Sequence, residues 1–280
     1  MNSQGTAAYK IACPECGSRD GNQVFTYEDK EDDSYCFACS TLFPSNNKKE
    51  TFVMPEQNKN FNPKMFDTNP ALALTDRGIR KEVVDIYGVK VGLNESDGKT
   101  ITHHYYPDHK DGKVSGFEVR EVDTKSFKGV GDRKGSLDLW GQHLAGKNGS
   151  NKLFITEGRC DAMALYQVII DNTPAKFKSY LPSVVSLTRG ATTGLKDIIN
   201  NREFVDTYKE VILVLDGDEA GQKATKDILK AFNNFKVAKL PLKDANDMLI
   251  QGRGKELYQK AVWDSTVVRQ GEVLDIEDFI

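Results

Sequence analysis

The second half of the chain alternates short apolar segments with helical patterns, and this alternation limits the possible folds more than any other feature. Four segments predict strands: KLFIT from residue 152, SVVSL from 183, EVILVL from 210 and KVAKL from 236. Between them lie amphipathic segments of 11 or 12 residues that predict helices, RCDAMALYQVII, LKDIINNREFV and QKATKDILKAF. Strands joined by such helices form right-handed crossovers, so residues 151–265 are expected to form a parallel sheet flanked by helices, an α/β domain.

Acidic residues follow these strands at the edge where a parallel sheet carries its functional groups. Glu157 follows the first strand, Asp216 and Asp218 follow the third, and Asp244 and Asp247 come after the fourth. Neighbouring strands lie about 4.8 Å apart, so the acids can converge on one or two cations. All of these ligands are oxygens, which favours Mg²⁺, with Mn²⁺ as a second possible ion. Helix capping by Asp216 and Asp218 is the alternative, but it accounts for only one strand end.

Four of the five cysteines form two C-x2-C pairs near the N-terminus, 19 residues apart: Cys13, Cys16, Cys36 and Cys39. In a reducing compartment this spacing predicts one tetrahedral zinc site rather than disulfides. Residues 9–43 are too few to fold on an apolar core alone, so we expect zinc to hold this ribbon together. The fifth cysteine, Cys160, opens a predicted helix and is expected to be a small buried residue.

The function of the ribbon is open at the level of sequence. It is either purely structural, or it presents Arg19, Tyr27, Tyr35 and Phe37 to single-stranded nucleic acid. The segment between the cysteine pairs, YEDKEDDSY, is acidic and would repel phosphate. Residues 44–62 are rich in Asn, Lys and Pro without periodicity, which is typical of a flexible linker.

Residues 63–150 predict a mixed α+β subdomain. A helix capped by Thr75 is expected within ALTDRGIRKEVVDIYGV, followed by two alternating strands that are joined by a turn at PDHKDGK. Basic residues are in modest excess over residues 110–134, which is typical of a solvated face, although contacts to phosphate are the alternative.

Composition narrows the partners and the compartment. With a net charge of −3 and a pI near 5.9, the chain has no global basic field, so any nucleic acid must be held by local patches and metal ions. No apolar run approaches the roughly 18 residues of a membrane span, and the N-terminus lacks an apolar secretory core. We therefore expect a cytoplasmic protein without a membrane partner.

Three motifs, TEG…D, LDGDEAG and KDAND, resemble the Toprim set shared by DnaG-type primases, type IA and II topoisomerases, and some nucleases and repair proteins. The two cysteine pairs and the segments LTDRGI and LDLWGQHL precede these motifs. The order of all these elements along the chain resembles the primase half of phage primase–helicases. The mitochondrial helicase Twinkle shares parts of the layout. The resemblance covers about residues 9–265.

This resemblance implies a DNA primase, a nucleotidyltransferase that makes short RNA primers on single-stranded DNA from ribonucleoside triphosphates. It also implies a replicative helicase and a DNA polymerase as partners, in the host cytoplasm if the gene is a phage gene. The family pattern implies Glu157, Asp216, Asp218 and Asp244 as metal ligands, with Asp247 as a second-tier acid, and Arg120 with Lys125 or Lys128 as the basic residues of the cleft. Catalysis is therefore expected to use Glu157, Asp216, Asp218, Arg120, Lys125 and Lys128. Arg77, in the RG of the middle motif, is expected to contact the template together with the ribbon residues Arg19, Tyr35 and Phe37. The family commonly has a lysine where this chain has Glu118.

Two other classes of function stay open. A DNA clamp of the recombination-mediator type also combines four cysteines with a Toprim unit, and a Toprim nuclease would use the same acids. No G-x-x-x-x-G-K-[ST] loop occurs, so these residues include no helicase motor, and we expect a stand-alone primase or one part of a larger system. Residues 266–280 are predicted to be an acidic tail, either a docking peptide for a helicase or polymerase or a severed linker.

Overall fold

The computed structural model describes residues 6–13, 15, 18, 22–26, 33–36, 41–43, 62–146 and 150–268. The chain divides into two compact units, Met1–Glu56 and Gln57–Ile280. The division falls within the predicted linker, residues 44–62.

The first unit contains an antiparallel sheet with the strand order β1-β2-β3-β4. Its strands are β1 (Thr6–Ile11), β2 (Asn22–Thr26), β3 (Asp33–Cys36) and β4 (Thr41–Phe43). Cys13 and Cys36 are both buried, and Tyr35 is half-buried on β3. The other members of the predicted zinc and template sites, Cys16, Cys39, Arg19 and Phe37, lie outside the described residues, as does Tyr27.

The second unit begins with short helical turns and one short helix. Two 3-10 turns, Pro63–Phe66 and Thr75–Arg77, precede helix α1 (Lys81–Ile86). The sequence predicted one helix from Thr75, and this prediction is wrong in its start. Gly78 has a φ of 64°, which ends the second turn, Thr75–Arg77, and Leu74 and Ile79 form a β-bridge around it, so the helix begins only after Arg80.

An antiparallel sheet follows, with the strand order β5-β6-β7-β8. Its strands are β5 (Lys90–Leu93), β6 (Ile101–Lys110), β7 (Lys113–Glu121) and β8 (Phe127–Gly131). Asp111 and Gly112, with φ values of 50° and 73°, connect β6 to β7. A two-residue turn with both residues left-handed suits the twist of a hairpin, so PDHK of the expected turn belongs to β6 instead.

The predicted α/β domain is confirmed: its central sheet has the order β10-β9-β11-β12-β13. Strands β9 (Lys152–Thr156), β10 (Ser183–Ser186), β11 (Glu210–Val214) and β12 (Lys236–Val237) are parallel. Strand β13 (Thr266–Val267) runs antiparallel to β12. The first residues of the predicted tail therefore form an edge strand, and residues 269–280 lie outside the described residues.

Helices cover both faces of this sheet. They are α2 (Arg159–Asn172), α3 (Gly194–Asn200), α4 (Arg202–Val205), α5 (Glu219–Ala231), α6 (Ala245–Ile250) and α7 (Gly254–Tyr258), with 3-10 turns at Ala175–Phe177 and Ala191–Thr193 and a π turn at Gln259–Trp263. On β11, Ile212 and Val214 enter one apolar cluster, whereas Val211 and Leu213 enter another. Both faces are thus buried, which is why the strand reads as an unbroken apolar run. Within the described ranges, no helix is long and apolar enough to cross a bilayer.

Candidate active site

The predicted acids gather at one edge of the parallel sheet. Glu157 directly follows β9, Asp216 comes two residues after β11, and the parallel register pairs Thr156 with Val214, so the two acids leave neighbouring strands within one residue of the same level. Helix α5 packs closely behind them, since a Cβ on Gly221 would lie 2.2 Å from the Asp216 carbonyl oxygen. Only glycine allows this approach, which holds the acidic turn against the helix.

Asp218 and Asp244 are the N-caps of α5 and α6. The backbone N–H of Gly221 donates to Asp218 Oδ1 over 3.0 Å, and that of Asp247 donates to Asp244 Oδ1 over 2.7 Å. Helix capping, the alternative to metal binding, therefore accounts for Asp218 on one loop and Asp244 on the other. It uses one oxygen of each carboxylate, and each keeps a second oxygen that can face a cation.

Burial raises the pKa of two of these acids, and their neighbouring charges add to the effect. The pKa of Asp218 is lowered instead, chiefly by the hydrogen bond from the Gly221 backbone. Burial raises the pKa of Asp216 to about 7, and the charges of Glu157 and Asp244 add to the effect. Burial also raises the pKa of Glu157, whose Oε2 is buried without a hydrogen-bond partner. Lys243 Nζ lies 3.8 Å from Asp216 Oδ2 and 3.4 Å from Asp218 Oδ2, but its side chain is 54% exposed. Among the described residues, this exposed ammonium is the one cationic side chain within ion-pair distance of the cluster.

Asp161, which ends the TEG…D motif but was not among the predicted site residues, joins this cluster. It lies in the first turn of α2 and is buried, and it accepts a hydrogen bond from the backbone N–H of Asn246 over 3.0 Å. Burial, reinforced by Asp244 and Asp216, raises its pKa well above the usual range. The sequence feature that could have identified Asp161 is its position four residues after Glu157. This position places it in the first turn of the helix that follows β9, close to the strand end.

The donor set fits a divalent metal ion. Glu157, Asp216, Asp218 and Asp244 supply only oxygen ligands, and the buried Glu157 Oε2 lacks a hydrogen-bond partner. In the described part of the chain, no three His, Cys, Asp or Glu side chains are grouped closely enough to hold one ion as they stand. Asp247 lies on α6, and its backbone serves the Asp244 cap.

A cavity of about 510 Å³ opens beside the acids. Glu157, Asp161 and Asp244 line it together with four arginines, Arg77, Arg120, Arg159 and Arg189. Cys160 also lines it, and its Sγ lies 3.3 Å from the Tyr106 hydroxyl. The sequence predicted a buried Cys160, and the structure leaves this residue half-buried. Burial raises the pKa of its thiol to about 11. Carboxylates and arginines on the walls of one cavity suit a ligand that carries both a cation and phosphates.

The structure brings two of the predicted basic residues to this cavity. Arg120 on β7 is buried, and its Nη1 lies 3.3 Å from Asp76 Oδ2. Arg77 Nη1 donates to Asn246 Oδ1 over 3.4 Å, which links the 3-10 turn Thr75–Arg77 to the start of α6. Both guanidinium groups are therefore held in position by neighbouring polar groups.

The structure does not bring Lys125 and Lys128 to the wall of this cavity. Lys128 is paired with Val119, whereas Phe127 is paired with Arg120. Because side chains alternate along a strand, Lys128 points to the face opposite Arg120. Lys125 lies in the turn before β8, with a φ of 56°.

A network of two acids and two arginines borders the same cavity. Arg159 Nη2 lies 2.7 Å from Asp108 Oδ1, and Arg133 Nη2 lies 2.9 Å from Glu118 Oε2. Arg133 also contacts Asp108, and Arg159 also contacts Glu118. Glu118, which replaces the lysine that is common in the resembled family, is thus paired with two arginines.

Comparisons with known proteins agree with this geometry. Residues 154–249 match a family model described as Toprim-like. The primase fragment of the bacteriophage T7 primase-helicase is 30% identical and has a TM-score of 0.60, and the alignment covers 92% of this chain and 100% of that fragment. A chain from the complex of the T7 lagging-strand DNA polymerase with two primase domains bound to an RNA/DNA hybrid and dTTP is 30% identical, with a TM-score of 0.61, over 75% of this chain and 98% of that one.

A curated relative is longer than this chain. The DNA helicase/primase of Enterobacteria phage T3 is 30% identical over 267 residues, which are 92% of this chain and 44% of that protein. The chain thus spans less than half the length of this relative.

Proposed function

Because this chain belongs to the family of the primase fragment of the bacteriophage T7 primase-helicase, we propose that it synthesises short RNA primers on a single-stranded DNA template. The single observation that carries the proposal is the edge of acids beside an arginine-lined cavity, in a chain that matches the whole length of that fragment. The reaction joins ribonucleoside triphosphates by metal-dependent nucleotidyl transfer, which requires charge neutralisation and alignment more than covalent catalysis.

In this proposal Glu157, Asp216, Asp218 and Asp244 would hold Mg²⁺ or Mn²⁺, with Asp247 behind them. Such an ion lowers the pKa of an attacking 3′-hydroxyl and neutralises charge on the triphosphate. Arg120, which Asp76 holds in place, contacts phosphate oxygens, and Arg77 contacts the template beside it. Asp161 accepts a hydrogen bond from the backbone N–H of Asn246, which fixes the position of the loop that carries Asp244. The catalytic roles of Lys125 and Lys128 stay predictions, and they would require these lysines to contact phosphate outside the cavity.

The first unit would hold one zinc ion through Cys13, Cys16, Cys36 and Cys39. Burial of Cys13 and Cys36 near the ends of antiparallel strands supports this proposal, because a zinc ribbon encloses its thiolates between strands. Metal analysis of the purified chain should give one zinc per chain, and Cys36→Ser should lower this stoichiometry towards zero. An unchanged zinc content in Cys36→Ser would contradict the proposed site.

The experiment that tests the function combines single-stranded DNA, labelled CTP, ATP and Mg²⁺. The wild-type chain should produce short oligoribonucleotides, and Asp216→Ala and Asp218→Ala should abolish them. Asp227→Asn is the matched control, because Asp227 is an acid on α5 that pairs with Lys230 on the surface. Nicked or degraded DNA would instead indicate a nuclease, and DNA binding without any product would indicate a clamp.

We also propose a replicative helicase and a DNA polymerase as partners, in the cytoplasm of a phage host. The support is the complex of the T7 lagging-strand DNA polymerase with primase domains, and the combination of helicase and primase in the T3 protein. Deletion of residues 271–280 tests the proposed docking peptide. Helicase and polymerase binding that does not change on deletion would contradict it.

A further inference from the structure

Phe127 is an aromatic side chain that the fold leaves exposed at the cavity beside the acids. It is 61% exposed, although a phenylalanine of this kind is normally buried. Among the described residues, it is the only exposed aromatic side chain that lines this cavity. Its first position on β8, the outer strand of the antiparallel sheet, leaves one flank of the ring open.

The register of the sheet aims the ring towards the cavity. Phe127 lies directly opposite Arg120 in the antiparallel pair of β7 and β8, and opposed residues project to the same face. Arg120 is buried deeper in the cavity with Asp76, whereas Phe127 lies at its exposed margin. Gly129, the next residue on the same face of β8, has no side chain of its own, and the Arg133 side chain packs over it.

Three kinds of group line the cavity. Acids supply oxygen ligands, arginines supply positive charge, and the Phe127 ring provides a flat apolar face. A nucleotide has the matching groups, since its phosphates suit a bound cation and arginines and its base has a π-face. A volume of about 510 Å³ lies within the range of small-molecule sites, roughly 300–1,000 Å³.

We propose that Phe127 is a stacking platform for a nucleobase at the margin of this cavity. The base belongs to the incoming ribonucleotide or to the template strand, and both offer the same π-face. The proposal rests on the proposed primase function, to which it adds a residue that positions the substrate.

Four substitutions at this position separate stacking from apolar bulk. Phe127→Ala and Phe127→Leu remove the ring, and Leu keeps most of its apolar volume. Both should raise the KM for one substrate about 5- to 150-fold, the range expected for one stacked base, and leave kcat within about 3-fold. Phe127→Tyr and Phe127→Trp should restore the wild-type KM. Phe177→Ala is the matched control, because Phe177 is 49% exposed and lies away from this cavity.

The substrate whose KM changes identifies the source of the base. A rise confined to the ribonucleotide KM assigns the platform to the incoming nucleotide, and a rise confined to the template KM assigns it to DNA. Wild-type KM values in Phe127→Leu would overturn the proposal, because apolar bulk would then suffice. Unchanged KM values in Phe127→Ala, or a loss of kcat alone, would overturn it as well.

A binding measurement keeps this test independent of primer synthesis. In a chain with Trp263→Phe, which removes the exposed native tryptophan, Phe127→Trp places an emitter at the platform. ATP with Mg²⁺, or a single-stranded oligonucleotide, should quench its fluorescence. Quenching without any primer product from the wild-type chain would refute the primase function and support the platform. Primer synthesis without quenching by either probe would refute the platform and support the primase function.

Discussion

Two clusters of carboxylates border the same cavity, and they differ in whether arginine side chains pair with them. Asp108 and Glu118 are each paired with both Arg133 and Arg159, so the chain supplies one guanidinium for each carboxylate. The other cluster, Glu157, Asp161, Asp216 and Asp244, is faced within the described residues by Lys243 and by backbone N–H groups. Its members show raised pKa values where the pKa shift is resolved.

The difference separates a structural role from a functional one. Carboxylates that are paired inside the chain contribute to the fold, and removing one partner leaves a buried charge without compensation. Carboxylates that lack internal partners destabilise the metal-free fold, and only a cation from outside can compensate for them. Substitutions in the unpaired cluster should therefore mainly lower activity, and substitutions in the paired cluster should mainly lower stability.

The largest effect is expected for Asp216→Asn in the unpaired cluster. Primer synthesis should fall about 1,000-fold or more, because a metal ion contributes several kcal/mol to the transition state. The same variant should be more stable than the wild type in EDTA at pH 8, since it removes a buried charge. Steady-state rates and urea denaturation measure the two effects. A variant that keeps its activity within tenfold, or unfolds more readily in EDTA, would contradict the assignment.

Arg159→Ala tests the paired cluster. It leaves Asp108 and Glu118 with Arg133 alone, and we expect the free energy of unfolding to fall by about 3–5 kcal/mol. Arg202→Ala is the control, because Arg202 and Asp206 form an exposed pair at 3.1 Å whose loss should cost less than about 1 kcal/mol. Urea denaturation measures both variants. Equal decreases in the free energy of unfolding would show that the buried network stabilises the fold no more than an exposed ion pair does.

The pH dependence of the metal-free protein should report the unpaired cluster. Asp216 has a pKa of about 7 when folded and 3.8 ordinarily, so between these values the folded chain retains a proton that the unfolded chain releases. Stability should therefore fall as the pH rises from about 4 to about 7, by at most about 1.4 kcal/mol per pH unit from this residue. Thermal unfolding in EDTA checks this. A wild-type slope that persists in Asp216→Asn would assign the effect to other groups.

The smallest effect is expected for Lys243→Met. The ammonium lies near Asp216 and Asp218, but the side chain is 54% exposed and solvent weakens both contacts. We expect the free energy of unfolding to change by less than about 1 kcal/mol. A loss above about 2 kcal/mol would mean that Lys243 neutralises the acids as the arginines neutralise Asp108 and Glu118, and the comparison between the clusters would fail.

Much of the second unit follows from local patterns. The unbroken apolar strands and the helices between them predicted the parallel sheet, because both faces of such a sheet are buried. The wrong start of α1 has a local reason that the apolar spacing concealed: Gly78 takes a left-handed conformation, and Leu74 bridges to Ile79. Asp161 was overlooked because its importance depends on the backbone N–H of Asn246, 85 positions further along the chain.

The sequence by itself determined the acids that leave the parallel strands, since strand order along the chain and side-chain alternation are local properties. Only the tertiary structure decided which basic residues share their cavity. Arg120 and Lys128 look equivalent in the sequence, but their strands pair so that one faces the acids and the other faces away. Glu118 meets Arg159 only because β7 and α2 pack together across 41 residues of chain. Packing between segments that are distant in the sequence depends on the whole fold, and no local pattern encodes it.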